Sequence, residues 1–515
     1  MGNHLKPKVR LLNVNTQPFA DITSSARTCY SSKGIVLPSD VSQDENSSRF
    51  IPLVQSIYQA GHHTTFQHTH LQFALENVSR NFIWSFLHSH PFYNSEQVSQ
   101  RYVSVKKDQL YYPDNLNEDE QKVFDECYEY QIKAYKSLKK ELAPIVETEY
   151  LKRFKSRKGS KQCQTDVKKK SQEIARYVLP LGTTAYLHHT ISFLTLMRYY
   201  RLCNSFDVPN EQKLVIQMMM DEVLKLDPTI KEFLQEPLDL KDTPEYQFMQ
   251  SFQKSDASLF NQEFDKDLNG AYSKLVDYKI NGEQTLARSI RQVFAISKKN
   301  YTDKELIEWL LNPSTNKILS ETMNINLHSK AMRSLMHVHY TFQKKLSHAA
   351  DSQDQRHRMT PASRPLLESV VSDEADYITP ILFELDQDLK NTYTNHMQTI
   401  WSFYKKAKQL GMSFENRSYL LPNALTLRFY ESSDLLALKH KMEMRLCYNA
   451  QEEIFFASVD EAKEVYKIHP IIGQFLAPPC KVRSMAKTKP ICPEGPRFCG
   501  VPVWKKSLDE YERSI

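Results

Sequence analysis

The sequence of 515 residues contains no apolar run that approaches the roughly 18–20 residues of a membrane-spanning helix. Its first residues, MGNHLK, hold neither the apolar core of a signal peptide nor the Ser or Thr expected of a myristoylation site. Its eight cysteines are too few for a disulfide scaffold in so long a chain. These absences predict a cytoplasmic protein with reduced thiols and no membrane partner.

The chain as a whole also lacks a strong excess of positive or negative charge, since its net charge is only +6. Hydrophobic residues make up 41% and charged residues 25% of the chain, and at this length two or three globular domains are expected. The positive charge is concentrated between Lys152 and Lys170, where nine Lys and Arg residues oppose only Asp166. Such a run is usually a solvated loop, and contact with phosphate or nucleic acid is the alternative.

Four short patterns recur in the same order in the two halves of the chain, which favours an internal duplication. The offsets lie between 242 and 269 residues. The matched pairs are LLN at 11–13 with LVD at 275–277, HTHLQF at 68–73 with HVHYTF at 337–342, VLP at 178–180 with LLP at 420–422, and RLC at 201–203 with RLC at 445–447.

The polar stretch from about Glu236 to Asp267 holds two prolines and little periodic apolar pattern, so we place the boundary between the copies there. The predicted domains are therefore 1–250 and 265–515.

Local patterns give a coarse secondary structure. The two His-x-His-x-x-Phe segments alternate like half-buried strands, and Ser79–Leu87 predicts a capped amphipathic helix. The stretches Tyr186–Tyr200 and Leu425–Met444 are rich in leucine and aromatic residues and predict long helices that follow Pro180 and Pro422.

Two distant segments look like halves of one nucleotide-binding motif: QVSQRYV at 97–103 and RHR at 356–358. Together with GHHTTFQH at 61–68, they resemble the flavin-dependent thymidylate synthases. The signature of that family is Arg-His-Arg-x-x-Ser-x(4)-Ser-x-Arg, behind a strand entry Gly-His-x-Thr-x-Phe-x-His. The resemblance extends to the Leu-Pro segments and to Arg445 followed by Ala-Gln-x-Glu at 450–453.

Each half keeps a different part of this signature. In the first half the central His, the late Ser and the late Arg stand at His90, Ser99 and Arg101, whereas Ser89 and Pro91 replace both leading arginines. In the second half RHR falls within two residues of the leading position, and no Ser-x-Arg follows in register. A fused duplicate would thus divide one site, with one half holding dUMP and the other FAD.

The resemblance implies a role for each matched residue. Arginines suit phosphate because a guanidinium gives a charge-assisted, often bidentate grip. The implied dUMP ligands are Gln97, Ser99, Gln100, Arg101, Arg176 and Arg445. The implied FAD ligands are Thr64, His90, Arg356, His357 and Arg358, with His62 near folate and flavin.

The implied reaction is the reductive methylation of dUMP to dTMP, with methylenetetrahydrofolate as carbon donor, NADPH as reductant and FAD as cofactor. It needs no cysteine nucleophile. Arg445 is the implied catalytic residue, because a preorganised cation would stabilise charge on the uracil ring. Arg201 is the alternative, since a two-residue shift brings it to the same place in the first half.

The resemblance also implies an α/β (α+β) fold of two similar halves, each a short antiparallel sheet with long helices, forming an internal pseudo-dimer. The family is homotetrameric, so a fused chain would most simply form a homodimer. Its sites would be fewer than its domains, with one per chain.

Every assignment has a structural alternative. Ser99 and Arg101 would otherwise cap a turn, RHR would be an exposed basic patch, and Arg176 and Arg445 would be surface residues on helices. A degenerate pseudoenzyme that binds flavin or nucleotide without synthesis is a second function class. A nucleic-acid-binding protein that uses the segment from Lys152 to Lys170 is a third, although no nucleic acid is expected.

The C-terminal region brings Cys480, Cys492 and Cys499 close together in sequence, with His469 upstream. Three thiols and an imidazole suit structural zinc, but the spacing is irregular and no Cys-x-x-Cys is present. We expect a packed cysteine-bearing tail, assign no metal ligand, and leave zinc open.

Overall fold

The computed structural model of the chain describes residues 5–87, 90–204, 207–251, 257–513 and 515. Two four-stranded antiparallel sheets organise it, with strand orders β1-β2-β4-β3 and β5-β6-β8-β7. The strands are β1 (Lys8–Val14), β2 (His70–Ser79), β3 (Tyr93–Gln97), β4 (Thr184–Ser192), β5 (Ser273–Tyr278), β6 (His339–Ser347), β7 (Ala362–Ser363) and β8 (Thr426–Asp434).

Helices flank both sheets. In the first half the α-helices are α1 (Pro18–Thr28), α2 (Pro38–Ser42), α3 (Ile51–Gln59), α4 (Arg80–Leu87), α5 (Glu118–Arg153), α6 (Lys161–Ala175), α7 (Phe193–Arg201), α8 (Pro209–Leu226), α9 (Pro244–Ser251) and α10 (Ala257–Leu268). In the second half they are α11 (Gly282–Phe294), α12 (Asp303–Leu311), α13 (His348–Asp354), α14 (Leu367–Val370), α15 (Gln387–Gln409), α16 (Phe414–Ser418), α17 (Leu435–Arg445), α18 (Glu452–Ile468), α19 (Pro470–Gly473) and α20 (Pro479–Ala486).

The predicted fold class is confirmed, since the two sheets share one topology down to a local irregularity. Strand β1 shifts register against β2 between Leu11 and Asn13, and β5 shifts against β6 between Leu275 and Asp277. These are the positions that the sequence repeat equates. β-Bulges are conserved within protein families, so the recurrence of this irregularity supports a common origin of the halves.

A pseudo-twofold axis passes between the two Leu-Pro segments. Pro180 and Pro422 face each other in an antiparallel bridge. The Leu181 amide donates to the Leu421 carbonyl at 2.8 Å, and its symmetry mate, the Asn423 amide, donates to the Leu179 carbonyl at 2.8 Å. The internal pseudo-dimer is therefore joined by main-chain hydrogen bonds.

A buried carboxylate on each side of the axis is held by both halves. Glu211 accepts hydrogen bonds from the Ser79 amide at 2.8 Å and from the Tyr419 hydroxyl at 2.8 Å. Its mate Glu453 accepts from the Ser347 amide at 2.6 Å and from the hydroxyl of Tyr177. Each tyrosine comes from the opposite half, so the two carboxylates fasten the halves to each other.

We expect this arrangement to make stability depend on pH. Burial raises the pKa of Glu211 from its ordinary 4.5 to about 7. The folded chain keeps a proton that the unfolded chain loses, so this stabilisation is complete below pH 4.5 and falls as the pH rises through 7. Between those limits the free energy of unfolding of Glu211→Gln should gain about 3 kcal/mol relative to the unsubstituted chain.

Urea unfolding at several pH values measures this difference. Glu222→Gln is the matched control on the same helix, because its carboxylate is partly exposed beside Lys225. Parallel pH profiles for Glu211→Gln and the unsubstituted chain would contradict the expectation.

The hydrophobic core is continuous across the axis and includes Trp84 from the first half and Trp401 from the second. Helices α5 and α15 pack together over it, and the Tyr130 hydroxyl lies 2.8 Å from Nδ1 of His396. Helix α5 begins at a capping box in which Asn117 accepts from the Glu120 amide, and acidic residues fill its first turn. Its last residues, Lys152 and Arg153, begin the basic segment of the sequence.

The prediction of long helices that begin soon after the two Leu-Pro segments is wrong. Residues Thr184–Ser192 and Thr426–Asp434 are strands, and helices begin only at Phe193 and Leu435. Ala185, Leu187, His189 and Ile191 are buried at every second position, which is the period of a strand. The apolar run continues into α7, and that continuity makes the whole stretch look helical.

The predicted strands at the His-x-His-x-x-Phe segments and the predicted capped helix are confirmed. The His-x-His-x-x-Phe segments lead into β2 and β6, and Ser79 caps the helix from Arg80, its hydroxyl accepting from the Phe82 amide at 2.9 Å. The polar boundary stretch holds α9 and α10, and Asp265 of α10 pairs with Arg428 of the second half at 2.7 Å. No helix in the described ranges has the length and apolar composition to cross a membrane.

Candidate active site

A cavity of about 1120 Å³ lies between the halves. Both partial motifs, QVSQRYV at 97–103 and RHR at 356–358, contribute residues to its wall, although they lie about 250 residues apart in the sequence. Of the residues singled out from the sequence, it is lined by Gln97, Ser99, Gln100, Arg101, Arg176, Arg356, His357 and Arg445.

Arg101 connects the halves. Its Nε donates to Glu173 Oε2 at 2.9 Å, and its Nη2 donates to the Asn449 carbonyl at 3.0 Å. Ser99 shapes the preceding turn, since its hydroxyl accepts from the Arg101 amide at 3.2 Å. Burial acts to lower the pKa of Arg101, but Glu173, together with Tyr102 and Tyr177, outweighs burial and the pKa lies above its ordinary value. This guanidinium is a fixed charge at the cavity wall.

Arg176 is only 5% exposed, yet its Nε and Nη2 have no hydrogen-bond partner among the residues that the structure describes. Asn423, from the second half, donates to the Arg176 carbonyl at 3.0 Å and to Gln100 Oε1 at 3.1 Å. Buried donors are normally satisfied. Unsatisfied guanidinium donors at a cavity wall suit an anionic ligand.

The RHR segment lies against the strand that leads into Gln97. Arg358 Nη1 donates to Asn94 Oδ1 at 3.0 Å, and Arg356 Nη2 lies 3.8 Å from Glu96 Oε2. Both acceptors belong to β3 of the first half. The two half-motifs are therefore neighbours in space.

Arg445 stands at the end of α17 and faces the same cavity. Its Nε donates to His357 Nε2 at 2.8 Å, and its Nη2 donates to the Gln353 carbonyl at 3.0 Å. Burial, followed by the charge of Arg445, holds the pKa of His357 well below its ordinary value, so the ring is a neutral acceptor. Burial lowers the pKa of Arg445 to about 10, which leaves it charged at neutral pH.

Five residues from the sequence assignments do not line the cavity. His62 and Thr64 are exposed, the Arg358 side chain donates to Asn94 of β3, and Arg201 donates to the Glu236 carbonyl at the surface. His90 Nε2 lies 2.5 Å from the Tyr199 hydroxyl within an aromatic cluster. Ser89, one of the two positions that lack a leading arginine, lies outside the described residues.

Several cavity residues were not found from the sequence. Arg80 at the start of α4 donates to Gln97 Oε1 at 2.7 Å and to the Val98 carbonyl at 2.6 Å. Lys170, Glu173 and Arg176 follow one another at intervals of three residues, a signal that would have placed all three on one helix face. Burial acts to raise the pKa of Glu173, but Arg101 and Lys170 outweigh it and hold the pKa well below its ordinary value.

The basic segment is divided between solvent and this cavity. Arg153, Arg157, Lys169 and Lys170 line the cavity. Its other basic residues, among them Lys155 and Lys158, are exposed. The segment therefore adds positive charge to the candidate site.

The position related to this site by the pseudo-twofold axis lacks the same groups. The counterparts of Arg176 and Asn423, displaced by 242 residues, are Ser418 and Leu181, which are fully buried and carry no positive charge. Arg201, the match of Arg445 in the repeated RLC, donates instead to the Glu236 carbonyl at the surface. The duplication has therefore kept these groups on one side of the axis.

The family model described as Thymidylate synthase complementing protein matches residues 10–229 and 274–471. The chain belongs to this family. One match falls on each half, so the Thymidylate synthase complementing fold occurs twice in the chain and its two copies form the cavity.

Single-copy relatives have the length of one half. A flavin-dependent thymidylate synthase of Clostridium tetani is 27% identical over 234 residues, which is 45% of this chain and 88% of the relative. The enzyme of the same name from Sulfurisphaera tokodaii is 26% identical over 227 residues, which is 42% of this chain and 82% of the relative. A solved structure, a UMP/dUMP methylase PolB from Streptomyces cacaoi bound with 5-Br dUMP, covers 44% of this chain and 94% of that chain at 20% identity and a TM-score of 0.33.

Proposed function

We propose that the chain is a flavin-dependent thymidylate synthase that converts dUMP to dTMP at one composite site between its halves. The observation that carries this proposal is the meeting of RHR with the strand before Gln97, at 3.0 Å from Arg358 to Asn94. Neither half holds a complete signature in sequence, and both parts contribute to one cavity. The names of the matched relatives support a methyltransferase of this kind.

In this proposal dUMP is held by the first half. Arg101 is fixed by Glu173, and Arg176 has two unsatisfied donors, so both guanidinium groups are preorganised for a phosphate. The Ser99 turn and the Gln100 amide complete a cradle of donors. Gln100 Nε2 is buried without a partner among the described residues, which suits a polar edge of the ligand.

Arg445 would act on the pyrimidine ring. Its charge stabilises the negative charge that develops on the ring as C5 becomes nucleophilic, and a fixed cation does this without reorganisation. His357 and the Gln353 carbonyl accept hydrogen bonds from the guanidinium and hold it in place. His357 is then a positioning residue whose neutral ring leaves the positive charge on Arg445.

The residues also fit a second, larger ligand. A cavity of about 1120 Å³ exceeds the volume of about 300–1,000 Å³ that is usual for one drug-sized ligand. Arg356 and His357 in its wall are the groups that would hold FAD. Bound FAD, once reduced by NADPH, would supply the hydride for the reaction. The carbon comes from methylenetetrahydrofolate. His62 and Thr64 are exposed and do not line this cavity, so we give them no part in holding FAD there.

The decisive measurement is dTMP formation by the purified chain with dUMP, methylenetetrahydrofolate, FAD and NADPH. We expect turnover, and we expect isothermal titration to give one dUMP per chain because the symmetry-related position lacks its arginines. Two dUMP or two FAD per chain would overturn the composite-site proposal.

A chain that binds dUMP and flavin without forming dTMP would instead be a pseudoenzyme. The absence of the leading arginines at Ser89 and Pro91 would then be the chemical cause to test first. A nucleic-acid-binding function would require strongly salt-dependent binding that survives Arg101→Ala.

A further inference from the structure

Four cysteines converge on one small cavity at the base of the C-terminal region. Cys447, Cys480, Cys492 and Cys499 all line a space of about 10 Å³, which is room for about one water-sized sphere. The remaining cysteines, at Cys29, Cys127, Cys163 and Cys203, do not line it. Cys447 lies before α18 and is the member that the grouping by sequence had missed.

We infer that Cys447, Cys480, Cys492 and Cys499 form a structural zinc site. Four thiolates in a tetrahedron are a common ligand set for structural zinc, with sulfur at about 2.3 Å from the metal. The cavity has the size of a single ion and is otherwise walled mainly by proline, leucine, valine and aromatic residues. His469, which lies upstream of the three tail cysteines, is not part of it, since its Nδ1 lies 2.9 Å from the Tyr340 hydroxyl.

The thiols around this cavity are protonated groups while no cation is near. Burial raises the pKa of Cys480 to about 12 and of Cys447 to about 11, so both are neutral. The Cys499 thiol donates to the Val501 carbonyl at 3.6 Å. Metal binding would release the thiol protons and reverse the effect of burial.

The site requires a small closure. As the side chains are placed, no group of three or more histidine, cysteine or carboxylate residues in the described part of the chain could hold a metal ion. Rotation of a cysteine between staggered χ1 values moves its sulfur by about 3 Å without moving the backbone. Four cysteines around a cavity of one-ion size can close on zinc in this way.

The position of the cluster links it to the cavity described above. The loop between Cys492 and Cys499 carries Glu494 and Arg497. Asn449 Nδ2 donates to the Glu494 carboxylate at 3.2 Å and to the Arg497 carbonyl at 2.7 Å. The Asn449 carbonyl in turn accepts from Arg101. The family match ends at residue 471, so the zinc would fix an added segment as a wall of the site. Only this last consequence rests on the proposed function.

The test is zinc content, which does not depend on any activity. The full chain is purified with reductant, loaded with zinc, desalted and measured by inductively coupled plasma mass spectrometry. We expect about one zinc per chain, and less than a tenth of that in the double variant Cys480→Ser, Cys492→Ser. Cys29→Ser is the control, because Cys29 is exposed and remote, and it should keep the full content.

A second measurement protects the test from a variant that fails to fold. The unsubstituted chain loaded with cobalt(II) should show a thiolate-to-metal charge-transfer band and the intense d–d bands of a tetrahedral ion. An unsubstituted chain that retains less than a tenth of an equivalent of zinc, or that shows disulfides among the four cysteines after full reduction and desalting, would overturn the inference. Loss of dTMP formation with zinc intact would count against the proposed function alone.

Discussion

Replacing Arg445 by alanine should lower the rate of dTMP formation by about 10²- to 10³-fold, the usual cost of removing one preorganised electrostatic group. The guanidinium is held by His357 at 2.8 Å and by the Gln353 carbonyl at 3.0 Å, so it makes its contribution from a fixed position. The effect should fall mainly on kcat, because charge builds on the pyrimidine only as it reacts. Steady-state kinetics with varied dUMP separates kcat from KM.

Arg201→Ala is the matched control. Arg201 and Arg445 close the related helices α7 and α17, and only Arg445 lines the cavity. Arg201→Ala should therefore keep near-normal turnover. Full activity in Arg445→Ala, with loss in Arg201→Ala, would transfer the catalytic role to the first half and reject the composite site as drawn.

Arg356→Ala gives a useful contrast within the same variant set. Its side chain is about 45% exposed and its partner Glu96 is more exposed still, so its loss should cost little stability. The expected effect is weaker FAD binding, measured by fluorescence titration, with dUMP affinity little changed. This pattern separates a flavin role from a general loss of the cavity.

The duplication could be predicted from the sequence because it rests on local patterns. The equivalence of LLN at 11–13 with LVD at 275–277 is borne out by the structure, which adds a register shift at the same place in both strands. The division of the signature between the halves could likewise be predicted, because it depends only on which residues occupy the signature positions. What local patterns could not give is the pairing of Pro180 with Pro422, a main-chain contact between segments 242 residues apart.

The errors have physical causes too. Strands β4 and β8 were predicted as helices because each is buried and runs directly into a helix with a similar composition, so an apolar count hides the two-residue period. Arg80 was missed because it lies nine residues ahead of the signature stretch, which begins at Ser89. Cys447 was missed because its partners lie about 30 to 50 residues further along the chain. All three depend on contacts that only the folded chain brings together.

Arg101→Ala should weaken dUMP binding by about 10- to 100-fold, the value of one hydrogen-bonded charge. Arg101 spans the halves, from Glu173 to the Asn449 carbonyl, so its loss also loosens the wall formed by the C-terminal segment. Lysine should rescue only part of the affinity, because a single ammonium does not reproduce the fork that reaches both partners. Equilibrium binding of dUMP, without the other substrates, gives the number directly.

Stability is the confounding effect here, and the chain offers a control for it. Arg364 forms a buried pair with Asp351 at 2.7 Å, comparable in burial to Arg101 with Glu173, but it does not line the cavity. Both Arg364→Ala and Arg101→Ala should lower the melting temperature, since each leaves a buried carboxylate without its arginine. Only Arg101→Ala should lower the dUMP affinity of the folded fraction. An equal loss of affinity in both variants would mean that the arginine acts through the fold and not through the ligand, and the dUMP site would then have to rest on Arg176.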